Sequence, residues 1–346
     1  MHATRPVAGL VVGKFAPLHR GHQLLIETAA AQVDELHVWV YSEPDLARVS
    51  AAVRAGWLRQ LYGAAIGGAR LHVRSLSKTE YPGLPPNDAP DLAHREFVRQ
   101  LLLELNLRID LVFTSESYGA GFAEHLGAGH VLVDFERRQR PVSGTRLRAD
   151  VYGLSDWLPP VVQAYFRSEA YVQRVALLGA ESTGKSTLAA ALAARLGTGF
   201  VAEYGRTLWE EKAGQLEFDD LLRIARRHRQ LEEAALPAAR HWLVSDTNAV
   251  TTLWYSYAYF GRAAPELHQL AAECRRRYAH TFVCAPDFPF EQDGTRAPAG
   301  QQPLQQHMIL LQLDLLGIPY QLLTGSVQER VQQVVAALGE PLTVRL

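Results

Sequence analysis

The eight residues Gly179-Ala-Glu-Ser-Thr-Gly184-Lys185-Ser186 constrain this chain more than any other stretch. They have the spacing of a phosphate-binding loop, G-x-x-x-x-G-K-[ST], a pattern with physical meaning only between a strand and a helix. Both flanks fit. The apolar run Val175-Ala-Leu-Leu precedes it, and Thr187-Leu-Ala-Ala-Ala-Leu-Ala-Ala-Arg-Leu, rich in strong helix formers, follows. In that setting Gly179 and Gly184 let the backbone N–H groups of Ser182, Thr183 and Thr187 curl around phosphate at a helix N-terminus. Lys185 is expected to reach the β and γ phosphates, and the Ser186 hydroxyl to hold Mg²⁺. This half of the chain is expected to handle a nucleoside triphosphate.

At 346 residues the chain is long enough for two domains with proper cores. The expected boundary gives domains 1–168 and 169–346, joined without a low-complexity linker. Thirty-five basic residues against 36 acidic ones leave no basic field to advertise nucleic-acid binding, so none is expected. Arg-rich pieces such as Arg223–Arg229 and Arg275–Arg277 read as solvated helix faces. Cys274 and Cys284, with nine residues between them, show no metal-ligand spacing. No run of about 20 apolar residues and no long apolar signal region occurs, so a soluble, cytoplasmic protein without membrane insertion is expected. Self-association into a homo-oligomer stays open.

The first half opens with a strand pattern, Val7–Val12, then Gly13-Lys14-Phe15-Ala16-Pro17-Leu18-His19-Arg20-Gly21-His22, a helix over Gln23–Ala31 and a strand over Glu35–Tyr41. Strand, loop, helix, strand is the opening of a doubly wound parallel sheet, whose ligands sit at strand C-terminal ends. Two histidines at a helix start can donate ring N–H groups to phosphate oxygens as negative charge builds. The competing reading is that His19 and His22 only cap the helix.

The whole decapeptide resembles the G-x-F-x-P-x-H-x-G-H signature of the nucleotidyltransferase superfamily of adenylyl- and cytidylyltransferases. That family pairs it with a later [IV]-S-x-T-x-[IL]-R motif, matched by Val142-Ser143-Gly144-Thr145-Arg146-Leu147-Arg148 about 120 residues downstream. The resemblance implies attack of a substrate phosphate on the α-phosphorus of ATP with loss of pyrophosphate. Lys14, His19, His22, Ser143, Thr145 and Arg148 would position and stabilise the reacting groups, with Gly13, Phe15 and Gly21 shaping the ATP site. Thr114-Ser-Glu-Ser-Tyr118-Gly and Leu126-Gly…Val133-Asp134 resemble nicotinamide-mononucleotide adenylyltransferases in particular. Those enzymes commonly stack the cationic nicotinamide ring on an aromatic side chain. Tyr118 and Trp57 are the substrate-binding candidates, Trp57 as the stacking platform or else as an ordinary core tryptophan. The Pro- and Gly-rich stretch Tyr81–Pro90 is an exposed loop, either closing over substrate or serving as a spacer.

In the second half a strand over Thr198–Ala202 ends in Glu203-Tyr204-Gly205-Arg206. Glu203 could take the proton of an attacking hydroxyl while Arg206 holds phosphate or substrate; the alternative is a Glu203–Arg206 pair capping the next helix. The strand Trp242-Leu-Val-Ser ends in Asp246-Thr247-Asn248, an arrangement that supports Mg²⁺ directly or through water. Among Trp254, Tyr255, Tyr257 and Tyr259 some face the core and one could face a substrate ring. Pro286–Arg296 resembles the lid segment of P-loop kinases, with Arg296 meeting the transferring phosphate.

Over nearly its whole length the chain resembles the NadR-type bifunctional family, which fuses a nicotinamide-mononucleotide adenylyltransferase to a ribosylnicotinamide kinase. The resemblance implies two doubly wound α/β domains, an N-terminal Rossmann-like nucleotidyltransferase and a C-terminal P-loop kinase. It further implies nicotinamide riboside, NMN and ATP as substrates, NAD as product and Mg²⁺ as cofactor, with Tyr204, Arg206 and Asn248 near the riboside. Asn248 stands where that family would place an acid, and Gly144 where it more often has serine or alanine. The regulatory members carry an N-terminal helix-turn-helix; here the first strand starts at once, so repressor activity is not expected. A flavin-nucleotide synthase fusion is disfavoured because its kinase is a β-barrel without this loop. The rival from another class is a nucleotide-sensing regulator linked to a riboside transporter, with one site only binding.

Overall fold

A computed structural model describes residues 5–42, 46, 48–289 and 299–339. The chain divides into two compact units between Tyr165 and Phe166. In the first, the order is β1 (Ala8–Gly13), α1 (Arg20–Ala30), β2 (Glu35–Tyr41), α2 (Ala51–Tyr62), β3 (Ala65–Ile66), β4 (Ala69–Leu76), α3 (Asp91–Glu104), β5 (Leu111–Thr114), α4 (Gly119–Leu126), β6 (Gly129–Leu132), α5 (Gly144–Ala149) and α6 (Pro160–Phe166). The strands lie in the order β3-β4-β2-β1-β5-β6, parallel except for the short antiparallel β3. From β1 the chain builds outward through β2 and β4, then returns to add β5 and β6 on the other side. The switch point, where α/β sheets open a crevice at the strand C-terminal ends, therefore lies between β1 and β5.

The second unit runs β7 (Gln173–Leu178), α7 (Lys185–Leu196), β8 (Phe200–Val201), α8 (Tyr204–Glu211), α9 (Phe218–Ala235), β9 (Trp242–Asp246), α10 (Ala249–Phe260), α11 (Pro265–Arg277), β10 (Tyr278–Cys284), α12 (Gln302–Leu315), β11 (Gln321–Leu323) and α13 (Val327–Leu338). Its sheet is parallel, in the order β11-β10-β7-β9-β8. The central strand explains its own apolar run. Val175 and Leu177 meet Leu188 and Val334 on one face, while Ala176 and Leu178 meet Ile224, Val250 and Ile309 on the other. Both faces are covered by helices, so the strand cannot alternate with polar residues.

Three readings change at this level. Helix α1 begins at Arg20 rather than Gln23, because His19 caps it. The apolar run Val131-Leu-Val-Asp-Phe135 reads from the sequence as a strand, but β6 ends at Leu132. Asp134 there adopts φ 45°, and its carboxylate accepts from the Gln139 and Arg140 N–H groups. The arginine-rich helices are not simply solvated: Arg226 and Arg229 on α9 pair with Glu266 and Glu273 on α11. Arg277 reaches the fully buried Glu232 at 2.7 Å. Among the described residues no helix is long and apolar enough to cross a membrane.

Candidate active sites

In the first unit, β1 delivers Gly13 to the switch point and the loop after it leads into α1. The N-cap His19 is extended, and its Nδ1 accepts from the Gly21 and His22 N–H groups at 3.1 and 3.3 Å. His22 Nδ1 reciprocates by accepting from the His19 N–H at 3.3 Å. Capping and phosphate binding are therefore not rival readings. With both Nδ1 atoms occupied as acceptors, each neutral ring carries its proton on Nε2, as a donor. Burial, with help from the positive Arg137, lowers the His19 pKa to about 4. Burial and the neighbouring His19 hold His22 well below the ordinary histidine range. The rings stack at 3.7 Å between centroids, and Phe15 closes edge-on against His22 at 4.9 Å.

These histidines border a cavity of about 510 Å³, which Gly13, Lys14, Phe15 and Gly21 also line. The later motif joins them across the crevice. Ser143 caps α5, accepting from the Arg146 N–H at 3.3 Å. Arg148 donates to the Ala16 carbonyl at 2.9 Å and to the Thr145 hydroxyl at 3.1 Å. Gly144 permits this approach, since a Cβ there would lie 3.2 Å from both the Ala16 oxygen and the Arg148 guanidinium. The loop after β4 also reaches the site: Asn87 lines the cavity and binds the Lys14 ammonium through Oδ1.

Tyr118 lines the cavity as well. Trp57 does not. It is 3% exposed on α2, packed edge-on against Tyr165, so the platform reading gives way to the core reading. Helical spacing could not separate the two, because α2 buries Arg54 one turn earlier on the same face. Sequence reasoning missed the role of that arginine. Fully buried, Arg54 binds the Lys14 carbonyl, the Tyr41 carbonyl at 3.0 Å and the Ser42 carbonyl at 3.3 Å, bracing the loop from behind. Arg137, which also lines the cavity, was missed too.

In the second unit the loop after β7 wraps a cavity of about 260 Å³, lined continuously from Glu181 to Thr187. Gly179 has φ 136°, and a Cβ on it would lie 2.7 Å from the Cys284 carbonyl oxygen; only glycine fits. Gly184, in the left-handed conformation, is the N-cap of α7. Lys185 Nζ lies back along the loop, 2.8 Å from the Ala180 carbonyl, and the Thr183 hydroxyl binds the same oxygen at 2.8 Å. Helix α12 orders the loop from the side, with Gln306 and Gln305 accepting from the Ala180 and Glu181 N–H groups at 2.8 Å. Arg330 on α13, fully buried, donates to the carbonyls of Thr183, Ala285 and Gly325. None of these three braces carries a motif, so no sequence signal marked them.

Asp246 ends β9 beside this loop. It is 1% exposed, and its Oδ1 has no hydrogen-bond partner. An orphaned buried carboxylate oxygen, with the Ser186 hydroxyl in the adjoining cavity lining, suits a hydrated Mg²⁺. Beneath it, the Ser245 hydroxyl donates to Glu232 at 2.6 Å and contacts His228 Nε2 at 2.8 Å, which anchors the strand. Glu203 sits at the N-cap position of α8 but makes no capping bond, so the capping alternative does not occupy its carboxylate. Burial pushes its pKa up, against the pull of Lys185. Arg206 lines the cavity; Tyr204 instead packs against the core, correcting its substrate-binding reading. Asn248 lines the cavity and caps α10 through Val250 N–H at 2.9 Å. Of the α10 aromatics, Tyr255 and Tyr259 face the cavity, joined by the unforeseen Trp209. Tyr255 donates to Glu181 at 2.7 Å. Arg296 falls outside the described residues.

The fold and the loop after β7 define an α/β protein of two units, the second of the P-loop nucleotide-binding kind. A sequence-family profile described as an AAA domain matches residues 174–330. The chain is 31% identical over 305 residues to the Escherichia coli (strain K12) "Trifunctional NAD biosynthesis/regulator protein NadR", covering 84% of this chain and 71% of that protein. The Salmonella typhimurium (strain LT2) protein of the same name is 30% identical over the same shares. The chain belongs to the NadR family. A crystal structure of a NadR protein in complex with NR superposes with TM-score 0.52 at 20% identity, covering 98% of this chain and 97% of that one. Another, with NAD and AMP-PNP, gives 0.50 at 20% identity over 95% and 94%. At that identity the likeness speaks to the fold.

Proposed function

We propose that this chain carries out two consecutive steps of NAD salvage. The second unit transfers the γ-phosphoryl of ATP to the 5′-hydroxyl of nicotinamide riboside, forming NMN and ADP. The first unit then joins the NMN phosphate to the α-phosphorus of ATP, forming NAD as pyrophosphate leaves. What carries this reading is the presence of two phosphate cradles of different chemistry, each opening on its own cavity.

For the first transfer, Lys185 and the loop amides hold the β and γ phosphates while Glu203 accepts the proton from the attacking hydroxyl. Its raised pKa makes it a better base than an ordinary carboxylate. Ser186 and Asp246 would hold Mg²⁺, which neutralises charge on the phosphates when bound. Tyr255, Tyr259 and Trp209 offer aromatic surface to a cationic pyridinium ring. For the second transfer, the Nε2–H groups of His19 and His22 donate to phosphate oxygens whose charge grows in the transition state. Lys14 and Arg148 supply positive charge, and no covalent intermediate is required.

The test is mass analysis of products from purified protein, Mg-ATP and nicotinamide riboside. The expected result is NAD with transient NMN. NMN alone would remove adenylylation of NMN from the first unit. Binding without product would favour the nucleotide-sensing regulator.

A further inference from the structure

We propose that Glu35, His37 and His72 form a binding site for one divalent first-row transition cation, at the opposite end of the first sheet from the catalytic cavity. Strands β2 and β4 pair in parallel with His37 directly opposite His72. Side chains of paired residues project from the same face, and residues two apart on a strand share it. Glu35 and His37 therefore stand on one face with His72 beside them. The imidazoles stack at 4.7 Å between centroids, and one ligand atom from each of the three residues lies within 4.8 Å of the others.

On β4 the same face also carries Arg70 and Arg74, opposite Glu35 and Trp39. Farther along β2 it carries Trp39 and Tyr41, packed in the core with Val98 and Leu101 of α3. His37 is 6% exposed, and its Nε2 is buried without a hydrogen-bond partner. Such an atom is destabilising unless something satisfies it. A metal bound by a lone pair would do so.

The donor set selects the kind of metal. Two imidazoles and one carboxylate suit zinc, cobalt or nickel ions and are poor ligands for magnesium or calcium. Tetrahedral bonds of about 2.1 Å put ligand atoms about 3.4 Å apart, so small side-chain rotations close the site. Two nearby arginines are already engaged: Arg59 with the Val73 carbonyl at 2.8 Å, and Arg74 with the Tyr81 hydroxyl at 3.0 Å. Arg70 contacts Glu35 at 3.3 Å but is 70% exposed. An ion pair that exposed is too weak to withhold the carboxylate. Glu35, His37 and His72 line a groove that shares no residue with the catalytic cavity. The ion would cross-link β2 to β4 without entering the chemistry.

The experiment titrates the full-length protein with Co²⁺ in excess Mg²⁺, reading visible absorption, then adds Zn²⁺. The expected result is one equivalent of Co²⁺ with nitrogen-ligand bands that Zn²⁺ abolishes, and a melting temperature raised by Zn²⁺. His72→Gln and Glu35→Gln should each weaken binding more than about 100-fold, since even outer partners of a metal ligand contribute 10–100-fold. His19→Asn should leave it unchanged. Absence of stoichiometric binding, undiminished binding in both Gln variants, or loss confined to His19→Asn would overturn the proposal. Should His72→Gln fail to fold, Glu35→Gln at the strand's beginning decides the matter alone.

Discussion

The loop after β1 and the loop after β7 solve one problem with different chemistry. Each leaves the C-terminal end of a central parallel strand and enters a helix N-terminus. Each has a fully buried arginine from a distant helix tying one of its carbonyls to neighbouring segments, Arg54 in one and Arg330 in the other. They differ in the groups they would present to the phosphate proposed for each. The first presents neutral imidazoles, oriented by their own capping bonds; the second presents a lysine, backbone amides and an orphaned carboxylate suited to a metal. A shared scaffold thus carries two strategies for charge, one by hydrogen-bond donation and one by cations.

The sharpest test of the shared part is removal of the braces. Arg330→Met and Arg54→Met should each cost about 3–5 kcal/mol, because several buried carbonyls lose their donor at once. Hydrogen exchange should show the loss confined to the unit that carries the substitution. Destabilisation spread equally over both units would break the comparison.

Next come the catalytic groups. Lys185→Ala should lower riboside phosphorylation by about 10³-fold while adenylylation of supplied NMN continues. Loss of both in a folded variant would contradict separate sites. His19→Asn retains a capping oxygen but loses the imidazole's reach, so NAD formation from NMN should fall about 100-fold with little change in stability. His19→Ala should add a stability loss of about 1 kcal/mol, the usual worth of an N-cap. An equal rate in His19→Asn and wild type would remove the imidazole from the mechanism.

The smallest effect is the response to pH, which should run in opposite directions at the two sites. His19 titrates near 6.5 when unfolded and at about 4 when folded, so between those values the unfolded chain binds more protons. Its contribution should be lost as pH falls from about 6.5 to 4 and be flat below. The Glu203 carboxyl is pushed up by burial, so its contribution is present at low pH and lost as pH rises through its folded value. Comparing the melting curves of His19→Asn and Glu203→Gln with wild type across pH would reveal the opposed slopes. Parallel slopes would show that burial does not favour the neutral form of both groups.

The phosphate loops were legible because their function depends on local backbone geometry, and local geometry needs particular residues at particular spacings. Gly179, Gly184 and Lys185 announce one cradle, and His19 with His22 the other. The strand-ending Asp246 was readable for the same reason. Trp57 and Tyr204 misled because an aromatic beside a motif looks the same whether it points inward or out. Asn87, Trp209, Gln305 and Gln306 had no signal of their own, and nothing within the α10 aromatic run marked Tyr255 as one that faces the cavity.

The amino-acid order by itself determined two α/β units and the strand–loop–helix turns that open their cavities, since strand periodicity, helix starts and loop turns are decided over about ten residues. Tertiary structure alone decided which arginines brace the loops, which aromatics line the cavities and which imidazoles meet across β2 and β4. Those depend on strand order and helix packing, where partners distant in sequence compete for the same space and one arrangement buries the chain best.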